Sequence, residues 1–342
     1  MSGSERAAPL IWPAIWLCCA CNGPSLEVLR AAEPTSPEFL SAEGDQLRWR
    51  GEPYRFVSLN AFTLTGCGND DELFDAARLD AFFGALRPHS LVRTYAFHSQ
   101  ALADIEAVVD AAERHEHLLE LVLADGNGSC SDDGGRKSED WYQAGFRDDY
   151  LPWVREITAR FRERPSVALW ELVSSPTDVA PATLRAFYDE VGGVVHALAP
   201  SQLVASGAHG AWAYGGGDSY AFIHASPGVD VAEFRDYDQA PGAPPNLQEA
   251  QSALNGQKPL ILAEAGVFAS PLGDVTQMLE GRVCLSWNER RDVLSSWFET
   301  ALAQRVAGVL VWNYLPVARD TCSYSTHESD PLFKAIRTTP LP

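Results

Sequence analysis

Positive charge is scarce in this chain. Its 26 Lys and Arg stand against 46 Asp and Glu, giving a formal net charge of −20 and a sequence pI near 4.7. A polyanion binder needs a basic face, and this field points the other way, so no nucleic-acid partner is expected. Long apolar runs are missing too: no stretch of about 18 apolar residues is present, and no spanning helix is expected. No Cys-x-x-Cys or Cys/His spacing marks a zinc site, and no Gly-rich phosphate loop follows a strand-like run. No Gly-x-Ser-x-Gly frames a nucleophilic serine. Neither a metal nor a cofactor is expected. What is plentiful is packing material: 46% of the 342 residues are hydrophobic, including 10 Trp, 10 Tyr and 15 Phe. That composition supports a large core and excludes disorder over most of the length.

The N-terminus is a different kind of segment. Leu10–Ala20 (LIWPAIWLCCA) is a short apolar run behind Arg6, as in the core of an export signal. It leads through Cys18-Cys19-Ala20-Cys21 into polar Asn22-Gly23-Pro24-Ser25. This ending resembles a bacterial lipoprotein signal, which implies a lipid on Cys21 and an exported chain of the cell envelope or outside it. Membrane contact would run through that anchor alone. The expected divisions are a signal at 1–21, a Pro/Ser/Glu-containing tether at 22–44 and a single domain, monomeric, at 45–342. Cys67, Cys130, Cys284 and Cys322 remain beyond the signal, an even number that fits two disulfides with three pairings open. His115-Glu116-His117 reads as a polar helix end rather than a ligand set.

The body alternates two periodicities. β-rich runs fall at Arg55–Asn60, Leu91–Tyr95, Leu118–Ala124, Val167–Val173, Gln202–Ser206, Val229–Phe234, Leu260–Glu264 and Gly308–Trp312. Amphipathic stretches lie between several of them, at Leu73–Leu86, Ala101–Arg114, Asp149–Phe161, Pro181–Leu198 and Arg290–Arg305. This alternation predicts an α/β fold, a single (β/α)8 TIM barrel, with a doubly wound sheet as the alternative. Active residues of such a barrel sit at the C-terminal ends of strands. Those ends carry Asn60, Arg93, Asp125, Ser174-Ser175, His209, Tyr237, Glu264 and Trp312. Aromatic faces stack on pyranose rings and carboxylates serve acetal chemistry, so the set points to a sugar site.

Several of these runs have a familiar layout. RPSVALWELVSSP (Arg164–Pro176) resembles the fourth strand of glycoside hydrolase family 5, of the clan-A cellulase and β-mannanase type, where the usual ending is W-E-L-x-N-E-P. KPLILAEAG (Lys258–Gly266) resembles the seventh strand, ending on the nucleophile. LVRTYAF (Leu91–Phe97), VDVAEFRDYD (Val229–Asp238) and GVLVWNY (Gly308–Tyr314) resemble the second, sixth and eighth. WYQAGFRDDYLPWVREITARF (Trp141–Phe161) resembles the helix before strand four in mannanase-like members. The resemblance implies retaining hydrolysis of β-linked glycans by two carboxyl groups about 5 Å apart. Carried over, it makes Glu264 the nucleophile, Arg93 the cation that keeps it ionised, Tyr237 its hydrogen-bond partner and Trp312 the sugar platform.

The pattern also breaks. Ser174-Ser175 stand where the family has Asn-Glu, so the general acid/base and the Asn that binds the 2-hydroxyl are both missing, and Arg235 replaces the His of strand six. Ser175 cannot donate a proton usefully at neutral pH, and general acid/base assistance is worth about 10²–10⁴-fold. Asp178 is the best candidate for a displaced acid, with Glu233 and Asp236 further options; Glu171, a turn deeper, reads as an arginine partner. Three functions follow: a barrel that binds β-linked oligo- or polysaccharide with feeble or no hydrolysis, an active retaining β-mannanase with a displaced acid, or a structural envelope protein.

Overall fold

Short strands of this chain are buried along their whole length, and that decides the architecture. The sequences LVRTY, LLELV, VALWE and AEFRD have every residue buried. Strands covered on both faces belong to parallel sheets roofed by helices, here with the inner face turned into a lumen. The structure, a computed structural model, describes residues 36, 38–67, 74–128, 135–279 and 281–342. Residues 1–21 with Cys21, and Cys130, lie outside them.

The described chain opens with an antiparallel sheet of β1 (Ser41–Glu43), β2 (Gln46–Trp49) and β3 (Glu52–Tyr54). Its first strand thus starts ahead of the domain boundary expected at residue 45. The barrel follows: β4 (Phe56–Leu59), α1 (Ala76–Ala85), β5 (Leu91–Tyr95), α2 (Leu102–Arg114), β6 (Leu118–Val122), α3 (Glu139–Gln143), α4 (Tyr150–Phe161), β7 (Val167–Glu171), α5 (Pro181–Leu198), β8 (Leu203–Ala205), α6 (Gly217–His224), β9 (Ala232–Asp236), α7 (Leu247–Leu254) and β10 (Leu260–Ala265). A second small sheet, β11 (Ala269–Ser270), β12 (Asp274–Leu279) and β13 (Arg282–Ser286), precedes α8 (Trp287–Ala303), β14 (Gly308–Val311) and α9 (Pro331–Thr338).

Parallel pairing joins β5-β6-β7-β8 in one run and β4-β14-β10-β9 in another. Parallel bridges Asn60↔Arg93 and Ala205↔Val231 connect the two runs at both seams. The result is a ring of eight parallel strands, the (β/α)8 barrel that the alternation predicts.

Helix starts are set by capping. Asp75 accepts from the Arg78 backbone N–H, so α1 begins at Ala76. Ser286 and Glu289 form a reciprocal capping box, which starts α8 earlier than the periodicity alone predicts. The opening sheet packs Leu47, Trp49 and Tyr54 against the first residues of the barrel strands, including Phe56, Leu91, Leu118 and Ile261. It closes the N-terminal end, leaving the other end for function. Strand β13 is fastened to the segment after β14 by a Cys284–Cys322 disulfide, and Cys67 is disulfide-bonded as well.

Candidate active site

Alternation along each strand sends every second side chain into the lumen. Here that inner layer is charged: Arg93 from β5, Glu120 from β6, Glu171 from β7, Glu233 and Arg235 from β9, and Glu264 from β10 are all buried. Arg93 grips Glu171 through two nitrogens, Nε to Oε2 and Nη2 to Oε1, the latter at 2.8 Å. It donates to the Asn60 side-chain oxygen at 2.7 Å and lies 3.3 Å from Glu264 Oε1. Arg235 repeats the pattern from the other side, with Nη2 3.0 Å from Glu171 Oε1 and Nε 3.0 Å from Glu264 Oε1. It also donates to the Gly207 and Ala208 carbonyls. Ser174 Oγ accepts from both guanidiniums, at 2.9 and 3.3 Å.

Charge balance then sorts the carboxyls. Two guanidiniums can neutralise two carboxylates, and they take Glu171 and Glu264. Glu120 and Glu233 share a buried cluster with Glu171, their ligand-capable oxygens within 4.8 Å of one another. Burial and the neighbouring carboxylates raise both: Glu120 goes well above the usual range and Glu233 to about 7. Glu264 behaves oppositely. Burial pushes its pKa up, but Arg235, Arg93 and the Tyr237 hydroxyl outweigh that and hold it below the usual carboxylate value.

Tyr237 donates its hydroxyl to Glu264 Oε2. It reaches there only because residue 266 is glycine; a Cβ at Gly266 would run into the Tyr237 ring. Trp312, at the end of β14, lies nearly parallel to Phe62, with centroids 5.4 Å apart and planes at 15°. A cavity of about 580 Å³ opens above this floor, lined by Trp312, Tyr237, Arg235, His209, Asp236, Trp212 and Tyr324, among others. Glu264 is 6% exposed, and the members of its network that reach the cavity are Arg235 and Tyr237.

The residues read from sequence divide into two groups. Arg93, Ser174, Arg235, Tyr237 and Glu264 come together in one bonded network, with Trp312 at its cavity edge. Ser175 sits at the end of the β7 segment, buried, in a left-handed conformation with φ 55° and its N–H on the Gly207 carbonyl. Asp178 does not join them. Its side chain is 68% exposed and ion-paired with Arg136, away from the cavity lining. Asp236 does line the cavity, but both its oxygens accept from Asn246, and burial raises it to about 7. Trp212, Tyr324, Asn246 and Arg282 line the cavity without having been singled out in the sequence. For Trp212 a signal was there: GAWAYGGG (Gly210–Gly217) sets two large aromatics, Trp212 and Tyr214, among small residues just beyond a strand end.

An eight-stranded barrel with a carboxylate, its arginine and tyrosine partners and a tryptophan on separate strand ends has the layout of a glycoside hydrolase barrel. Comparison with known proteins finds likeness to mannanases. The chain is 24% identical over 211 residues to the probable mannan endo-1,4-beta-mannosidase C of Aspergillus terreus, covering 53% of this chain and 50% of that protein. It is 24% identical over 308 residues to the putative mannan endo-1,4-beta-mannosidase 9 of Oryza sativa, covering 71% and 74%. It thus spans about half the length of the Aspergillus relative. Among solved structures, the endo-1,4-beta-mannanase of Rhizomucor miehei superposes with a TM-score of 0.68 at 17% identity, over 88% of this chain and 97% of that one. A glycoside hydrolase family 5 mannosidase from the same organism gives 0.65 at 14%, with the same coverage. No protein-family model matches the chain. The fold is that of the family 5 mannanases, and the resemblance seen in the strand motifs extends to whole-chain comparison.

Proposed function

We propose that this chain is an exported barrel that binds β-linked glycan, mannan foremost, without hydrolysing it efficiently. The observation that carries the reading is the position after Ser174. A retaining glycosidase needs a carboxyl there to protonate the leaving oxygen and then to activate water, and Ser175 offers a hydroxyl instead. The candidate substitute, Asp178, is held at the surface by Arg136. The nucleophile position is also constrained: Glu264 Oε1 is shared by two guanidiniums and Oε2 accepts from Tyr237. A carboxylate so fully partnered is a weaker nucleophile, while the aromatic and polar cavity above it suits a sugar. The mannanase names of the relatives supply mannan as the first ligand to try. The export signal at 1–21 with its lipid on Cys21 belongs to the same proposal, since a β-glycan is met outside the cell.

The test is reducing-sugar release together with affinity electrophoresis on a panel of β-mannans and β-glucans. The mature chain is expected to be retarded in a mannan gel and to release no sugar. Ser175→Glu alone is expected to give little activity, because Ser174 and Arg235 also depart from the family pattern. Release by the unaltered chain that vanishes in Glu264→Ala would overturn the proposal in favour of an enzyme with a displaced acid. Absence of retardation on every glycan would overturn it in favour of a structural role.

A further inference from the structure

Among the described residues Trp212 is the most exposed tryptophan, at 60%, and it borders the same cavity as Trp312. A large aromatic face left open at the edge of a cavity is available for stacking on a ligand. We infer that Trp212 is a second, outer stacking platform of the cleft, and that the occupant is an uncharged β-linked oligosaccharide long enough to touch both tryptophans. This inference rests on the glycan-binding reading above and specifies its ligand.

Three observations support it. The first is how firmly the ring is held. Trp212 lies in a short 3-10 turn, Ala211–Tyr214, directly beyond β8. Its ring sits 5.7 Å from that of His209, and it passes so close to Gly210 that a Cβ there would meet the indole at 2.9 Å. Glycine at 210 lets the indole lie over the backbone. The Tyr214 hydroxyl accepts from the His209 N–H at 3.0 Å and donates to the Pro176 carbonyl at 2.9 Å. That fastens the turn to the loop carrying Ser175. A platform fixed in this way loses little freedom on binding.

Size is the second. At about 580 Å³ the cavity falls within the roughly 300–1,000 Å³ typical of drug-sized ligands, more than one sugar ring requires. Charge is the third. The lining includes Arg235 and Arg282 beside Asp236 and Asp238. The Arg235 charge is already matched by Glu171 and Glu264, and His209 is neutral at pH 7, its pKa lowered to about 4 by burial and by Arg235. No cation is in surplus, and the whole chain carries −20, so an acidic sugar gains nothing here.

Calorimetric titration of the mature chain, Trp212→Ala and Trp212→Phe with mannobiose, mannotetraose and an oligouronate of the same length tests this, with circular dichroism to confirm that each variant is folded. Trp212→Ala is expected to weaken the tetrasaccharide about tenfold, leave the disaccharide unchanged, and be largely rescued by Phe. Equal weakening at both lengths, no weakening, or tighter binding of the oligouronate would overturn the inference while leaving glycan binding intact. Failure of the unaltered chain to bind any of these, or any glycan of the wider panel, would overturn the glycan-binding reading and this inference together.

Discussion

Across the lumen, the two positions that the proposed function turns on, 264 and 175, are held in different ways. On the side of β9 and β10, Glu264 remains with Arg93 and Tyr237 around it, and Arg235 adds a second cation. On the side of β7, the place of the acid/base holds Ser175, with Ser174 beside it. The difference lies in what else each position does. Glu264 is half of a charge balance that also includes Glu171; remove it and a buried guanidinium loses a partner. An acid/base carboxyl faces substrate instead, and its loss leaves no buried charge uncompensated. Buried charge pairing thus constrains position 264 and places no such constraint on position 175.

The strongest way to break this comparison is to strike the shared partner. Glu171→Ala leaves Arg93 and Arg235 competing for Glu264 alone, and should destabilise the barrel by about 3–5 kcal/mol in urea unfolding. A loss below about 1 kcal/mol would mean that the network does not hold the lumen together. The pH profile tests the same layer with a smaller effect. Glu233 and Asp236, both raised to about 7, favour the folded state when protonated, and that contribution fades as pH rises through 7. The buried His209 and His224, lowered to about 4 and about 3, act oppositely: the unfolded chain protonates them around 6.5, so their cost fades as pH rises through that value. Between pH 6.5 and about 8 the two carboxyls withdraw about 1.5 kcal/mol and the two histidines return less than about 1 kcal/mol, so the urea midpoint should fall slightly with rising pH. Glu233→Gln should flatten that slope, and a midpoint that rises instead would refute the assignment. The smallest effect sharpens the other side. Asp178→Asn should change stability by less than about 0.5 kcal/mol and leave glycan retardation unaltered, because the Asp178–Arg136 pair is exposed. A lost glycan interaction in that variant would place Asp178 in the cleft.

Much of this was legible in the sequence for a physical reason. All eight barrel strands were readable because both faces are buried, which writes apolar runs such as Leu91–Tyr95 and Leu118–Val122 unambiguously. Once the barrel was inferred, topology converted strand ends into site residues, and Glu171 could be read as an arginine partner. The small sheets were harder. The opening strands are three or four residues long, and β12 is largely exposed, so neither carries a clear period. Loop residues were harder still. Nothing local shows that Asp178 pairs with Arg136, or that Asn246 occupies both oxygens of Asp236. Arg235 was seen as a substitution, but its simultaneous hold on Glu171, Glu264 and two carbonyls depends on three strands and a loop meeting in space.

That fourfold hold limits what position 235 can carry. Histidine at position 235 could not span the same partners: Glu171 would keep its two bonds from Arg93, but Glu264 and the Gly207 and Ala208 carbonyls would each lose a partner, at a cost in stability. A carboxyl introduced at 175 would add another negative group beside two arginines already paired with Glu171 and Glu264. Arg235 acts as a clamp: its neighbours on three strands and a loop would have to change with it before another side chain could take its place.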